Sequence, residues 1–279
     1  MGRAARNHHP MAEPTTPREA VAAMRVTAPS ERNDKLAGLL RAVNADEQLK
    51  ARWYMQQVTA ERLGMSDHSW VHLRIVLNIG LRIFRILHAS GLGSAVERNH
   101  GLGADDAEVV VAGACLMHDL GMSIHRVDHE AFSLFLAADR LSDLLAPIYE
   151  EPERTVVGSE ILHAIIAHRT GGAPLTLEAG VVRVADALDM EHGRARVALE
   201  THLPNIHSLS AAAIDDVRIM QGKERTIRVE VDMNNSAGVF QLDELLARKL
   251  RGSGLEEHIE VIARIEAEHE KRLLTIYRI

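Results

Sequence analysis

The apolar run Val109-Val110-Val111-Ala112-Gly113-Ala114-Cys115-Leu116-Met117 ends on His118 and Asp119 side by side, and no other feature constrains the fold so tightly. An imidazole and a carboxylate in a buried segment are costly unless something pairs with both. A divalent cation does so directly. The dipeptide therefore reads as half of a metal site whose other half must come from elsewhere in the chain.

That other half is sought at helical spacing. Asp67-His68-Ser69-Trp70-Val71-His72 opens a segment in which Val71, Ile75, Val76, Ile79, Ile83, Ile86 and Leu87 recur every three or four residues, the amphipathic helix pattern. Asp67 is its expected N-cap. His72 lies one turn beyond His68 on the same face, which can point into a bundle beside His118 and Asp119. Downstream, Leu177, Val181, Val184, Ala185 and Leu188 form another apolar stripe, and it carries Asp186. Two imidazoles and two carboxylates thus arrive on three helices.

The stretches His72-Leu73-Arg74-Ile75-Val76, Ala114-Cys115-Leu116-Met117-His118-Asp119-Leu120-Gly121 and Arg183-Val184-Ala185-Asp186-Ala187-Leu188-Asp189 resemble the HD superfamily of metal-dependent phosphohydrolases. The resemblance covers roughly residues 60 to 195. It implies a mainly α fold built on an HD-type helical bundle, and one or two divalent transition metal ions held by His72, His118, Asp119 and Asp186. It also implies hydrolysis of a phosphomonoester or phosphodiester, commonly in a nucleotide. His125, His129, His163 and His168 fall in the interval from which dinuclear members take further ligands, and His163 and His168 are the expected additions. His163 and His168 differ by five positions, about 140° around a helix, so they need not share one ion. His129-Glu130 followed by Ser133 resembles a feature lining the family's pocket. Asp119, His129 and His163 are the expected catalytic groups. His68 is a weaker site candidate, Asp189 is the expected carboxylate behind a ligand imidazole, and Arg169 and Arg194, with Arg196 nearby, are candidates for a substrate phosphate.

The implied chemistry is attack on phosphorus by hydroxide generated at the cation. Imidazole and carboxylate donors fit manganese, iron, cobalt, nickel or zinc. Two other readings stay open: a diiron oxygenase on the same fold, and a catalytically silent nucleotide-sensing or assembly protein. The glycine clusters around Gly91 and Gly101 lack the Gly-Lys-Ser/Thr ending of a phosphate loop, so ATP-driven chemistry is not expected.

Composition bounds the partners. Among 279 residues the net charge is −7, with no dense basic tract outside the N-terminal tail, which argues against a duplex nucleic-acid binder. Only two Trp, three Tyr and four Phe are available for base stacking. No segment reaches the apolar length of a membrane span. A small-molecule phosphate ester is the expected partner. The single cysteine, Cys115, excludes an internal disulfide and favours a cytoplasmic location.

Along the chain, residues 1–30 carry Pro10, Pro14, Pro17 and Pro29 without periodicity and read as a disordered leader containing His8 and His9, with Met11 or Met24 as alternative starts. Residues 31–200 form the expected helical metal-binding domain: a charged helical stretch over 31–63, a glycine-rich loop over 91–103, helices over 128–146 and 150–169, and a break at Thr170-Gly171-Gly172-Ala173-Pro174. Gly121 is expected to close the His118 helix. Residues 201–279 read as a small α+β appendage. In it Arg225-Thr226-Ile227-Arg228-Val229-Glu230-Val231-Asp232-Met233 alternates as a half-exposed strand paired in a hairpin with 217–220. A polar turn at 234–238, a short helix over 240–250 and strands over 259–265 and 273–279 complete it. Open strand edges suggest a homodimer.

Overall fold

The computed structural model describes residues 16–65, 68–190 and 206–265. The expected leader is structured where it is described. Helix α1 (Pro17–Ala23) is opened by Thr16, which exchanges hydrogen bonds with Glu19 in a capping box, and Pro17 supplies the preset φ of a first helical residue. Met24 and Val26 are then buried in the core, and Asn44 pairs with both the N–H and the carbonyl of Val26 at 2.9 and 2.8 Å.

The charged stretch that follows is two helices, α2 (Asp34–Ala45) and α3 (Glu47–Arg62). They part at Asp46, whose extended backbone and side-chain bond to Leu49 N–H start the second. Helix α4 (Trp70–Ala89) is capped by Ser69, which accepts from Val71 N–H; the expected cap, Asp67, lies outside the described residues. The expected glycine-rich loop contains a short helix, α5 (Ala95–His100), because Ser94 and Glu97 form a capping box and Gly101, at φ 67°, closes the other end.

Helix α6 (Ala104–Met117) is buried at every position from 109 to 117, and a helix apolar on all sides belongs in the middle of a bundle. Beside it stand α8 (Glu153–Ala167) and α9 (Leu177–Leu188), with α7 (His129–Leu145) on the far side of α8. Helix α4 packs on α6 and α9, and α8 packs on α6, α7 and α9. Trp53 of α3 braces the centre from outside, its indole N–H donating to the Leu116 carbonyl at 3.1 Å.

After α10 (Ile206–Ala212), strands β1 (Ile214–Gln221), β2 (Ile227–Met233) and β3 (Ile259–Ile265) form a sheet in that order. The expected hairpin is present, with Ile219 opposite Val229. Ile227, Val229, Val231 and Met233 of β2 are buried in alternation, and they join the same apolar core as the helices. Strand β3 runs parallel to β2, and parallel neighbours require a crossover. The crossover holds a π turn (Gln241–Leu246) leading into α11 (Ala247–Leu250), so the expected helix over 240–250 exists with a wider first half. The strand expected over 273–279 lies outside the described residues. Among the described residues no helix is long and apolar enough to cross a membrane.

Candidate metal centre

His118 is the C-cap of α6, and Asp119 follows in the turn to a 3-10 segment, Leu120–Ser123. The capping position frees both side chains from the helix ladder while keeping them under α6, where they are 0% and 3% exposed. His72 comes from the first turn of α4, Asp186 from the last turn of α9, His129 opens α7, and His168 caps the C-terminus of α8. Five elements therefore meet at one point.

The four atoms expected to share a cation do converge. His72 Nε2 lies 3.7 Å from Asp119 Oδ2 and 3.4 Å from Asp186 Oδ1. His118 Nε2 lies 3.5 and 3.6 Å from the same two oxygens. Ligand atoms held about 2.1 Å from one ion at the tetrahedral angle stand about 3.4 Å apart, so the spacing fits a divalent cation. Among the described residues, His118 Nε2 is buried without a hydrogen-bond partner, a costly state that a cation relieves.

The other ring nitrogens are already engaged. His118 Nδ1 bonds the Cys115 carbonyl at 2.9 Å, His168 Nδ1 the Ile165 carbonyl at 2.5 Å, and His72 Nδ1 the Asp189 carboxylate at 2.5 Å. Each acceptor holds the proton on Nδ1 and leaves the Nε2 lone pair for the centre, the usual arrangement behind metal-binding imidazoles. Asp189 stands where a ligand-orienting carboxylate is expected.

Asp119 divides its two oxygens. Oδ2 faces His72 and His118, whereas Oδ1 lies 3.1 Å from His129 Nε2 and 3.9 Å from His168 Nε2. Asp119, His129 and His168 form a second close group, and His118 and His168 approach edge to face at 4.8 Å. Asp119 is thus a shared wall between two adjacent donor sets.

Electrostatics separates the roles. Burial opposes ionisation of Asp119, yet the imidazoles of His118, His129 and His68 hold its carboxyl well below the ordinary range. Burial opposes ionisation of Asp186 as well, and the Lys249 ammonium, with His118 and His72, outweighs it. Burial, helped by Lys249, pushes His168 well below a normal imidazole, which keeps it in the neutral, ligating form. Burial would lower His129 too, but Asp119 reverses the sign and its pKa is raised. A cation entering between Asp119 and His129 must displace that proton, so uptake there strengthens as pH rises.

Several expected residues stand elsewhere. His163 is half-buried on α8 and its Nε2 accepts the Leu175 N–H at 3.1 Å, so it is not brought into either group. His125 is exposed and its Nδ1 accepts from Val127 N–H. Arg169 is exposed and offers its carbonyl, not its guanidinium, to a neighbour. Arg194 and Arg196 lie outside the described residues. His68 is buried 5.7 Å from the His72 ring. The turn at 234–238 is local: Asn235 caps Ala237, and the Asn234 amide bonds Asp215.

Three residues at the site were not anticipated. The Lys249 ammonium pairs with Asp186. Arg126 Nη1 stands 2.7 Å from His129 Nδ1. Arg183, one turn before Asp186, spreads its guanidinium over backbone carbonyls of two segments. An arginine among Val181, Val182 and Val184 was the one visible sign of this.

Gly121 serves a different purpose from the expected helix stop. A Cβ there would collide with the His129 carbonyl, so the missing side chain lets α7 seat His129 against Asp119, and Ser133 Oγ accepts the Gly121 N–H at 2.8 Å. Gly121→Ala is expected to cost about 3 kcal/mol, read as a lowered thermal midpoint. A midpoint equal to wild type would show that α7 can move aside freely.

The model of the HD domain matches residues 69–191. The uncharacterized protein MJ1020 of Methanocaldococcus jannaschii is 38% identical over 207 residues, covering 74% of this chain and 80% of that protein. Ribonuclease Y of Thermoanaerobacter pseudethanolicus is 28% identical over 198 residues, or 68% of this chain and 34% of that one. Ribonuclease Y of Desulforamulus reducens is 28% identical over 193 residues, or 64% and 35%. This chain therefore spans about a third of the ribonuclease Y relatives. With the helical His, the His-Asp pair and the distant Asp meeting at one centre, the chain belongs to the HD superfamily.

Proposed function

We propose that the protein is a phosphohydrolase that cleaves a phosphomonoester or phosphodiester of a nucleotide or other small molecule. The observation that carries this is Asp119, whose two oxygens face two donor sets. His72, His118, Asp119 and Asp186 would hold one divalent cation, and Asp119, His129 and His168 a second. When bound, such cations lower the pKa of coordinated water and offset charge on phosphoryl oxygens. The chain's own residues do the rest. His72, His118 and His168 are pre-oriented by their Nδ1 partners. With a single cation bound, His129 carries a proton beside Asp119 and can pass it to a leaving oxygen. The relatives named ribonuclease Y bring a phosphodiester into the substrate range, while the net charge of −7 favours a small ester over a long duplex.

Metal analysis of the purified protein, followed with that metal by a phosphate-release screen over nucleotides and by chromatography of a cyclic dinucleotide and a short single-stranded RNA for cleavage products, tests the reading. Turnover of one class with manganese, iron, cobalt, nickel or zinc supports it. Iron with oxygen consumption and no cleavage of any phosphate ester would replace it by the oxygenase, and absence of turnover of either kind by the silent sensor.

Asp189→Ala removes the acceptor that orients His72. Metal affinity is expected to fall about 10–100-fold in a competition titration, with the fold retained. An unchanged affinity would reduce Asp189 to a structural acid.

The strand order leaves β1 at a sheet edge among the described residues, and a homodimer is our reading of the assembly. A monomeric mass by light scattering at micromolar concentration would reject it.

A further inference from the structure

We infer that Lys249, delivered by the β2–β3 crossover, is the residue that binds the anionic group of the substrate, and that the C-terminal sheet segment is therefore part of the catalytic pocket. This rests on the phosphohydrolase reading and assigns it a residue for the substrate's charge that the sequence did not point to; Arg169 is exposed at the end of α8, and Arg194 lies outside the described residues.

The placement of the ammonium is specific. Asp186 presents Oδ1 to His72 and His118 at 3.4 and 3.6 Å, and Lys249 Nζ takes the opposite oxygen, Oδ2. Lys249 thus stands beside the candidate cation position and leaves it open, holding Asp186 to one free oxygen. An ammonium has three donors, and among the described residues Asp186 is its one hydrogen-bond partner. Two donors remain for a ligand at the edge of the centre. The side chain is only 16% exposed, so a ligand oxygen meets it with little competing water, where a charge-assisted bond is strong.

The backbone beneath Lys249 is held by α9, the helix that carries Asp186. Arg183 Nε donates to the Lys249 carbonyl at 2.7 Å, and its Nη2 reaches the carbonyls of Arg248 and Arg251 at 3.3 and 3.2 Å. Gly180 lets the Ser253 carbonyl come so close to α9 that a Cβ would collide with it. A surface lysine paired by chance with an acid needs no such anchoring. A residue that must hold its position next to a reacting group does.

The test uses Lys249→Met and Lys249→Gln, which keep the length of the stem, and Lys249→Arg, which keeps the charge. Manganese binding and then inorganic phosphate binding to the manganese-loaded proteins are measured by calorimetry, with thermal midpoints recorded. Wild type is expected to bind both. The Met and Gln variants should keep manganese within about threefold of wild type and lose at least tenfold in phosphate affinity, and Arg should recover most of it. Phosphate affinity unchanged in whichever neutral variant folds would overturn the inference and leave the metal reading standing. Wild type with no affinity for manganese or for any other divalent transition metal would overturn both.

Discussion

Asp119→Ala protein is expected to leave purification without bound metal and without phosphatase activity, the largest single-residue effect at this centre. Removing a group one hydrogen bond away from a metal costs about 10–100-fold in affinity. Asp119 stands in direct reach of both donor sets, 3.5 Å from His118 Nε2 through one oxygen and 3.1 Å from His129 Nε2 through the other. Its loss deletes an anion from each set at once, leaving Asp186 as the one carboxylate of the first set and His129 and His168 without any in the second. The loss should therefore exceed 100-fold for either ion. Asp119→Asn separates charge from shape: the amide fills the same space and still accepts one hydrogen bond, yet it carries no net charge. It is expected to resemble Ala in metal content, by elemental analysis, and wild type in thermal midpoint measured without metal. Full turnover by the Ala variant would remove the mechanism. Metal retained at wild-type stoichiometry would show that Asp119 lines the centre without holding a cation.

Much of this centre was legible in the sequence because helical periodicity is a local property. His72, His118, Asp119 and Asp186 each sit on or at the end of an apolar stripe, and such stripes must meet in a core. His163 shows how the same reasoning goes astray when flanking residues replace the stripe. The buried face of α8 runs through Val157, Ile161, Ala164 and Ile165. His168 continues it at a spacing of three and seven, whereas His163 falls between its rows, apolar neighbours notwithstanding. Residues 16–30 depart from the expected disordered leader for the opposite reason, while residues 1–15, with His8, His9 and Met11, lie outside the described residues. Thr16, Pro17 and Glu19 spell a helix start, but proline-rich composition outweighed them. Lys249 had no sign in its surroundings at all. Its contact with Asp186 spans 63 positions and exists because β3 pairs parallel to β2, a topological choice that no window of sequence contains.

That long-range contact makes Arg183 the residue whose loss should most disturb the fold. It is 2% exposed and has no carboxylate partner within bonding distance among the described residues. Instead Nη1 donates to the carbonyls of Arg169 and Gly172 at 2.8 and 2.6 Å, at the end of the segment that carries His168, while Nε and Nη2 hold the crossover that carries Lys249. The C-terminal carbonyls of α8 and α11 have no intrahelical donors, and one planar fork satisfies both ends at once. Arg183→Met fills similar volume but takes the donor from these part-buried acceptors, of which Arg169 keeps the Gly172 N–H, and each one left unpaired costs about 1–3 kcal/mol when nothing replaces the donor. Relaxation and water recover part of that, so a net loss of about 4 kcal/mol is expected by denaturant unfolding. Arg183→Lys should recover only a minor share, because one ammonium with three donors cannot reach both segments. The same variants should bind manganese more weakly than wild type even where they remain folded, since the segment that carries His168 loses its anchor. A loss below about 1 kcal/mol in Arg183→Met would mean that packing of α11 and the sheet against the bundle, and not the guanidinium, joins the C-terminal segment to the centre.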